Sequence, residues 1–353
     1  MRMMAAKAIL PGLKPHDLVT VVCLLASSQD AEVSKTADAT LKTLPGPMLE
    51  GALAADLEPA ASFELARRHA TSPAVVEKLL RQPRLPGEAL EYLAECATEQ
   101  LGEIIATNET RLLAHPSAIE KLYMNRQVRM STSDRLLELA VRNGIELDIP
   151  AFQEAAIAIK SELICEPTAE PTPDDVLFRE TDAVAARAVL QGNDDTHDVD
   201  EEGEERLRDK FLPLYARISQ MTVTQKIRRA TLGNSAERLL LVRDSNKLVS
   251  RAAVKSPLLK ENEAVLISAS RNVDDEVLRV LAKNRDMTRN YQVKLNLVGN
   301  PRTPFAFSSQ MIPHLRDNDL RSLAKSKNVP GAIAQAAKRH LSRKQPNKDV
   351  GRR

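Results

Sequence analysis

The chain has 353 residues and a mass of 38.9 kDa, with 43% hydrophobic and 28% charged residues, an ordinary globular composition with room for two or three domains. No Trp, 12 Gly, six Phe and four Tyr argue against a sandwich or barrel, and the same counts exclude collagen-like, disulfide-rich and transmembrane classes. The net charge of +2 conceals an asymmetry: residues 1–165 carry 17 basic and 22 acidic side chains, 166–205 carry 2 and 14, and 206–353 carry 31 and 12.

Taken from the start, the apolar run 18–26 is too short to cross a bilayer and follows no cleavage-site pattern. Cys23, Cys96 and Cys165 lie far apart and form no C-x-x-C pair, which predicts reduced thiols and a cytoplasmic protein without integral membrane association. Ser72-Pro73 opens a helix over 74–80, Ser117-x-x-Glu120 and Ser131-x-x-Asp134 read as capping boxes, and Asn143-Gly144 ends a helix. Leu101 and Ile105 follow Val75 and Leu79 by 26 residues, a loose repeat. Residues 1–165 are therefore read as an N-terminal helical repeat domain.

Residues 166–205 differ in kind. Pro167, Pro171 and Pro173 cannot continue a helix, and the acidic run 198–205 has almost nothing to bury. A short helix over 183–190 fits within it. The segment is read as an acidic flexible linker, with a second possibility that it folds back over the basic half.

The C-terminal domain, 206–345, repeats more clearly. A shift of 28 residues carries Val249, Ala253, Leu259, Val265, Ile267 and Asn272 onto Val277, Leu281, Met287, Val293, Leu295 and Asn300. Ser256, Asn272, Asn284, Asn300 and Asn328 read as helix entries, because their side-chain oxygens accept amides of a first turn. Units this small must stack to bury their apolar faces. The expectation is an all-α fold: an α-solenoid of short paired helices, about 26–28 residues per unit, in two segments joined by the acidic linker. Residues 346–353 are read as a disordered basic tail.

The stretches Ala70-Thr-Ser-Pro73 with Leu79-Leu80, and Arg251-Ala-Ala-Val-Lys-Ser-Pro257, resemble the leucine-rich repeat variant pattern. That resemblance implies a right-handed stack of short helices, related in style to HEAT-like repeats. The segment 221–341 also resembles uncharacterised bacterial helical-repeat proteins, which implies no activity.

Chemistry-bearing motifs are scarce. His16, His69, His115, His197, His314 and His340 form no zinc or metalloprotease spacing, and no nucleophile elbow, P-loop or dinucleotide fingerprint occurs. His69 and His340 read as exposed, and His314 with Asp317 as an i, i+3 pair on one helix. No enzyme, cofactor, metal or small-molecule substrate is evident. The positive signal is charge. Lys247, Arg251 and Lys255 share one side of a helix, and the 28-residue shift carries Arg251 to Arg279 and Lys255 to Lys283, flanked by Arg285 and Arg289. Stacking would align these into a basic row opposite the apolar face, tolerant of substitution. The expected function is a non-enzymatic protein-interaction scaffold with a basic C-terminal face for an acidic protein partner. The alternative is sequence-independent nucleic-acid binding by the same face.

Overall fold

The computed structural model describes residues 1–161, 171–172, 175–176, 178–179, 196–199, 205–208 and 211–344. Most of the acidic connector 166–205, its expected helix at 183–190 and the tail 346–353 lie outside the described residues. Among those described, the chain forms 22 α-helices, two short 3-10 turns, and one antiparallel ribbon pairing His197–Val199 with Glu205–Leu207. No helix of the described residues is long and apolar enough to cross a membrane.

The helices gather into two compact units, one built from Met1–Ile149 and the other from Pro150 through the helix Phe152–Ser161 together with the described residues from Val176 onward. The sequence boundary at 165 had placed Phe152–Ser161 in the N-terminal domain. Instead, that helix packs on Val223–Leu232 and Lys247–Val254 of the second unit, burying Ala155, Ala158 and Ile159.

In the first unit, proline opens one helix after another: Pro15, Pro59, Pro73 and Pro116 each stand at the start of a helix, where no amide bond is lost and φ is already helical. Asn143 and Gly144 end the helix Met130–Arg142, Gly144 at a φ of 69°. Helices pack on others two or three elements away along the chain. Pro73–Leu80 touches Gly46–Leu53 and Glu99–Ala106, while Gly87–Glu95 touches Pro59–His69 and Pro116–Met124. Val75, Leu79, Leu101 and Ile105 are all buried in this arrangement.

At two places a side-chain amide joins one turn to an earlier one. Gln82 Nε2 donates to the carbonyls of Leu53 and Ala55 at 2.7 and 2.9 Å, and its Oε1 accepts from Leu57 N. Asn125 Nδ2 reaches the Ala97 carbonyl at 2.8 Å in the same way. These bonds satisfy carbonyls that the end of a helix leaves without partners. The two expected capping boxes are absent for a related reason. Ser117 Oγ donates to Glu91 of the preceding turn, Glu120 accepts from Asp148 N, and the Met130 amide that opens the helix Met130–Arg142 donates to the distant Asp175 Oδ1 at 2.8 Å.

The second unit repeats the scheme. Val223–Leu232, Lys247–Val254 and Asp275–Lys283 pack in succession, as do Ser235–Leu241, Glu261–Ala269 and Tyr291–Gly299. The 28-residue shift holds for the first helix of each pair, where Val249, Ala253, Val277 and Leu281 are all buried. It slips in the second. The extra 3-10 turn Met287–Arg289 delays Tyr291–Gly299, so buried Ile267 corresponds to buried Leu297 rather than to half-buried Leu295.

Most of the expected entry residues are not helix caps either. Asn300 Nδ2 bridges to the Ser268 and Ser270 carbonyls, and Ser256 Oγ donates to Thr231 O. Asn246, Asp274 and Asn290 cap the helices instead. A full capping box does form at Asn234 and Glu237.

The core of this unit is unusually polar. Arg229 pairs with Glu237 where both side chains are wholly buried, and Arg238 grips Glu263 through two bonds of 2.7 and 2.8 Å. The guanidinium groups of Arg228 and Arg229 lie 5.3 and 5.5 Å from the ring of buried Phe178. Buried ions require such pairing, because a lone one forfeits its hydration.

Candidate functional site

The basic row lies on the helices Lys247–Val254 and Asp275–Lys283. Asn246 accepts from Leu248 N at 2.9 Å to start the first, and Asp274 accepts from Glu276 N at 2.9 Å to start the second. Burial of Val249, Ala252 and Ala253, and of Val277, Leu278 and Leu281, fixes the rotation of both helices and leaves the cations toward the outside.

Their electrostatic settings differ. Lys255 Nζ donates to Oε1 of Glu154 at 2.7 Å, and Arg251 Nη2 forms an ion pair with the same oxygen at 2.9 Å. Glu154 is 1% exposed, and its Oε2 is buried without a hydrogen-bond partner. The two cations are about one-third exposed. They are therefore anchors of the Phe152–Ser161 helix, not free surface charges. Replacing them with glutamate would set new carboxylates against a buried one, so the substitution tolerance expected from sequence does not hold at these two positions.

Lys247 lies 3.4 Å from the Asp274 carboxylate and is 70% exposed. The Glu276 amide, foremost, together with Lys247 holds the Asp274 carboxyl below its usual value, against the upward push of burial. Arg279 meets Asp275 and Glu276 of its own helix at 3.9 and 3.2 Å. Such surface pairs contribute ~1 kcal/mol at most.

Farther along, Lys283, Arg285 and Arg289 are exposed. Arg289 sits 3.3 Å from Asp286, itself 77% exposed. No carboxylate among the described residues forms a salt bridge with Lys283 or Arg285. The Lys283 ammonium lies 6.0 Å from the Phe307 ring, and Phe305 beside it in sequence is 51% exposed.

Glu154 is the residue that sequence reasoning missed. It stands 101 positions before Lys255, and no spacing rule connects the two. The connector contributes a contact of its own. Glu205 accepts from Arg271 N at 3.0 Å, and from Ser270 Oγ and Arg243 Nε at 2.9 Å. Burial pushes this carboxyl up, but the three donors outweigh it and hold it below its ordinary value.

The histidines carry no assembled chemistry. His69 is half-buried rather than exposed, its Nε2 3.2 Å from the Leu41 carbonyl, and burial lowers its pKa. His314 ends a 3-10 turn while Asp317 begins the next helix and pairs with Lys344, so the expected pair on one helix does not form. Among the described residues, no group of three metal-ligating side chains converges.

No family model, curated protein or solved structure matches the chain.

Proposed function

We propose that the chain is a non-enzymatic interaction scaffold, each unit a short α-solenoid, whose C-terminal unit offers a basic face to an acidic protein partner. The observation that carries this reading is the outer end of the row: Lys283 and Arg285 are exposed and form no salt bridge with a described carboxylate. Long cationic side chains without counter-charges are hydrated in the free protein and gain a charge-assisted bond when a carboxylate arrives. The solenoid reading is supported by the packing of alternate helices and by amide bonds between turns separated by about one repeat. The resemblance to leucine-rich repeat variant and HEAT-like arrays points the same way.

One observation favours the second reading, sequence-independent nucleic-acid binding by the same face. Lys283 approaches Phe307 and Phe305 is exposed, and a cation beside aromatic faces is what single-stranded nucleic acid uses.

The test is a triple variant of the full chain, Lys283→Glu, Arg285→Glu and Arg289→Glu, titrated with poly-L-glutamate and with a mixed-sequence single-stranded DNA. These positions are exposed, so each reversal should cost about 0.5 kcal/mol of stability or less. The scaffold reading expects poly-L-glutamate to bind the parent more tightly than DNA does, and to be lost from the variant. Tighter DNA binding, falling linearly with salt on a log–log plot, supports the alternative. Parent and variant binding alike would remove this face from both readings.

A further inference from the structure

The second unit also holds a cleft of about 690 Å³, within the roughly 300–1,000 Å³ typical of small-molecule sites. It is bounded by the ribbon strand Glu205–Leu207, the helix Leu212–Ser219, Lys226, and the turn that follows Leu241. Ile218, Leu240 and Leu241 give it buried apolar walls. Leu212 and Tyr215 also line it and are about half exposed. A closed core would not leave those two side chains toward water beside so large a void.

The polar groups of the lining are unevenly satisfied. Both Glu205 oxygens accept from protein donors, Oε1 from Arg271 N and Oε2 from Arg243 and Ser270. Both Asp244 oxygens do too, Oδ1 from Asn246 N at 2.8 Å and Oδ2 from Lys226 Nζ at 3.1 Å. Lys226 is different. Its side chain is 16% exposed, its ammonium carries three donors, and Asp244 is its one hydrogen-bond partner. The cleft thus combines an apolar wall with surplus donor capacity on a largely buried cation, while each of its carboxylates already has a cationic partner.

We infer that this cleft is a binding site for an amphipathic organic anion, a compact apolar body bearing one carboxylate that accepts from Lys226 Nζ. The apolar body covers Ile218, Leu240 and Leu241, and Tyr215 closes over its outer side. A cation in the same place would meet Lys226 and Arg243, each already paired with one of the two carboxylates of the lining.

The probes are octanoate, octanol and octylammonium, titrated calorimetrically into the full chain. Octanoate is expected to bind saturably and about tenfold or more tightly than octanol, the usual difference for a hydrogen bond to a charged group. Lys226→Met should weaken octanoate by that same factor and leave octanol unchanged. Because Lys226→Met also strips Asp244 of its partner, Lys226→Met/Asp244→Asn serves as a charge-balanced second variant with the same expected loss. Ser219→Trp places a bulky ring at the lining and should abolish binding of both ligands. The inference is overturned if octanoate does not saturate, if octylammonium binds as well, or if the charge-balanced variant retains the octanoate affinity of the parent.

Discussion

Glu154 makes an asymmetric prediction. Its carboxylate is buried, whereas Arg251 and Lys255 are each about one-third exposed. Removing the acid frees two cations that can turn to water. Removing the cations strands an acid that cannot. Glu154→Gln keeps a carbonyl oxygen toward both cations and gives up only the carboxylate charge, a loss of about 1 kcal/mol. Arg251→Met/Lys255→Met leaves a buried, uncompensated charge, which costs about 3–5 kcal/mol. The double variant escapes part of that cost when the stranded carboxylate takes up a proton. Each pH unit lower eases this uptake by about 1.4 kcal/mol, so folded protein then binds more protons than unfolded and its stability rises as pH falls toward the ordinary carboxylate range. Glu154→Gln has no such group and shows no such dependence. The assay is urea unfolding of the full chain at pH 5 and pH 7, followed by circular dichroism because the chain has no tryptophan. The gap between the two variants should narrow by about 2 kcal/mol at the lower pH. Equal costs at pH 7, or a gap independent of pH, would refute the assignment of Arg251 and Lys255 as anchors of a buried acid.

Two further outcomes follow from the same unit. Gly233 has an ordinary φ of −68°, but a Cβ there would overlap the Arg229 carbonyl and a Glu237 carboxylate oxygen. Gly233→Ala should therefore cost about 3 kcal/mol, by overpacking and by disturbing the buried Arg229–Glu237 pair, whereas Gly331→Ala, with open space around it, should be nearly neutral; similar unfolding midpoints for the two would contradict this. Glu205 is depressed in the folded state, so its stabilisation is complete above the unfolded carboxylate value of about 4.3 and is lost as pH falls through the folded value. Thermal midpoints measured from pH 6 to pH 3 should fall less steeply in Glu205→Gln than in the parent; parallel curves would show that the ribbon contact contributes nothing.

What was legible in the sequence is what local rules govern. Ser72-Pro73 and Asn143-Gly144 mark helix ends through φ preferences of single residues, and both boundaries appear where expected. The buried pairs Val249 with Val277 and Ala253 with Leu281 follow from apolar periodicity. Ser117, Ser256 and Asn300 misled because their polar atoms serve the preceding turn instead of their own helix. A capping rule considers only neighbours in sequence. The slip of two positions after Met287 escaped for the opposite reason: one extra 3-10 turn changes the spacing without changing residue types.

The same limit applies to charge, and it relocates the candidate interface. A count over residues 206–353 treats every arginine as surface, yet Arg228, Arg229 and Arg238 are buried, the last two against Glu237 and Glu263. Arg251 and Lys255 are committed to Glu154, and Lys247 and Arg279 to carboxylates at the start of Asp275–Lys283. These acids lie on other helices or on the helix that carries the cation, so the 28-residue alignment of cations gave no sign of them. Pairing divides the row by the work its charges already do. A partner competing for Arg251 or Lys255 must displace a buried carboxylate, whereas one approaching Lys283, Arg285 and Arg289 displaces mostly water. For the proposed acidic partner, the gain per contact would therefore be greatest at the outer end of the row.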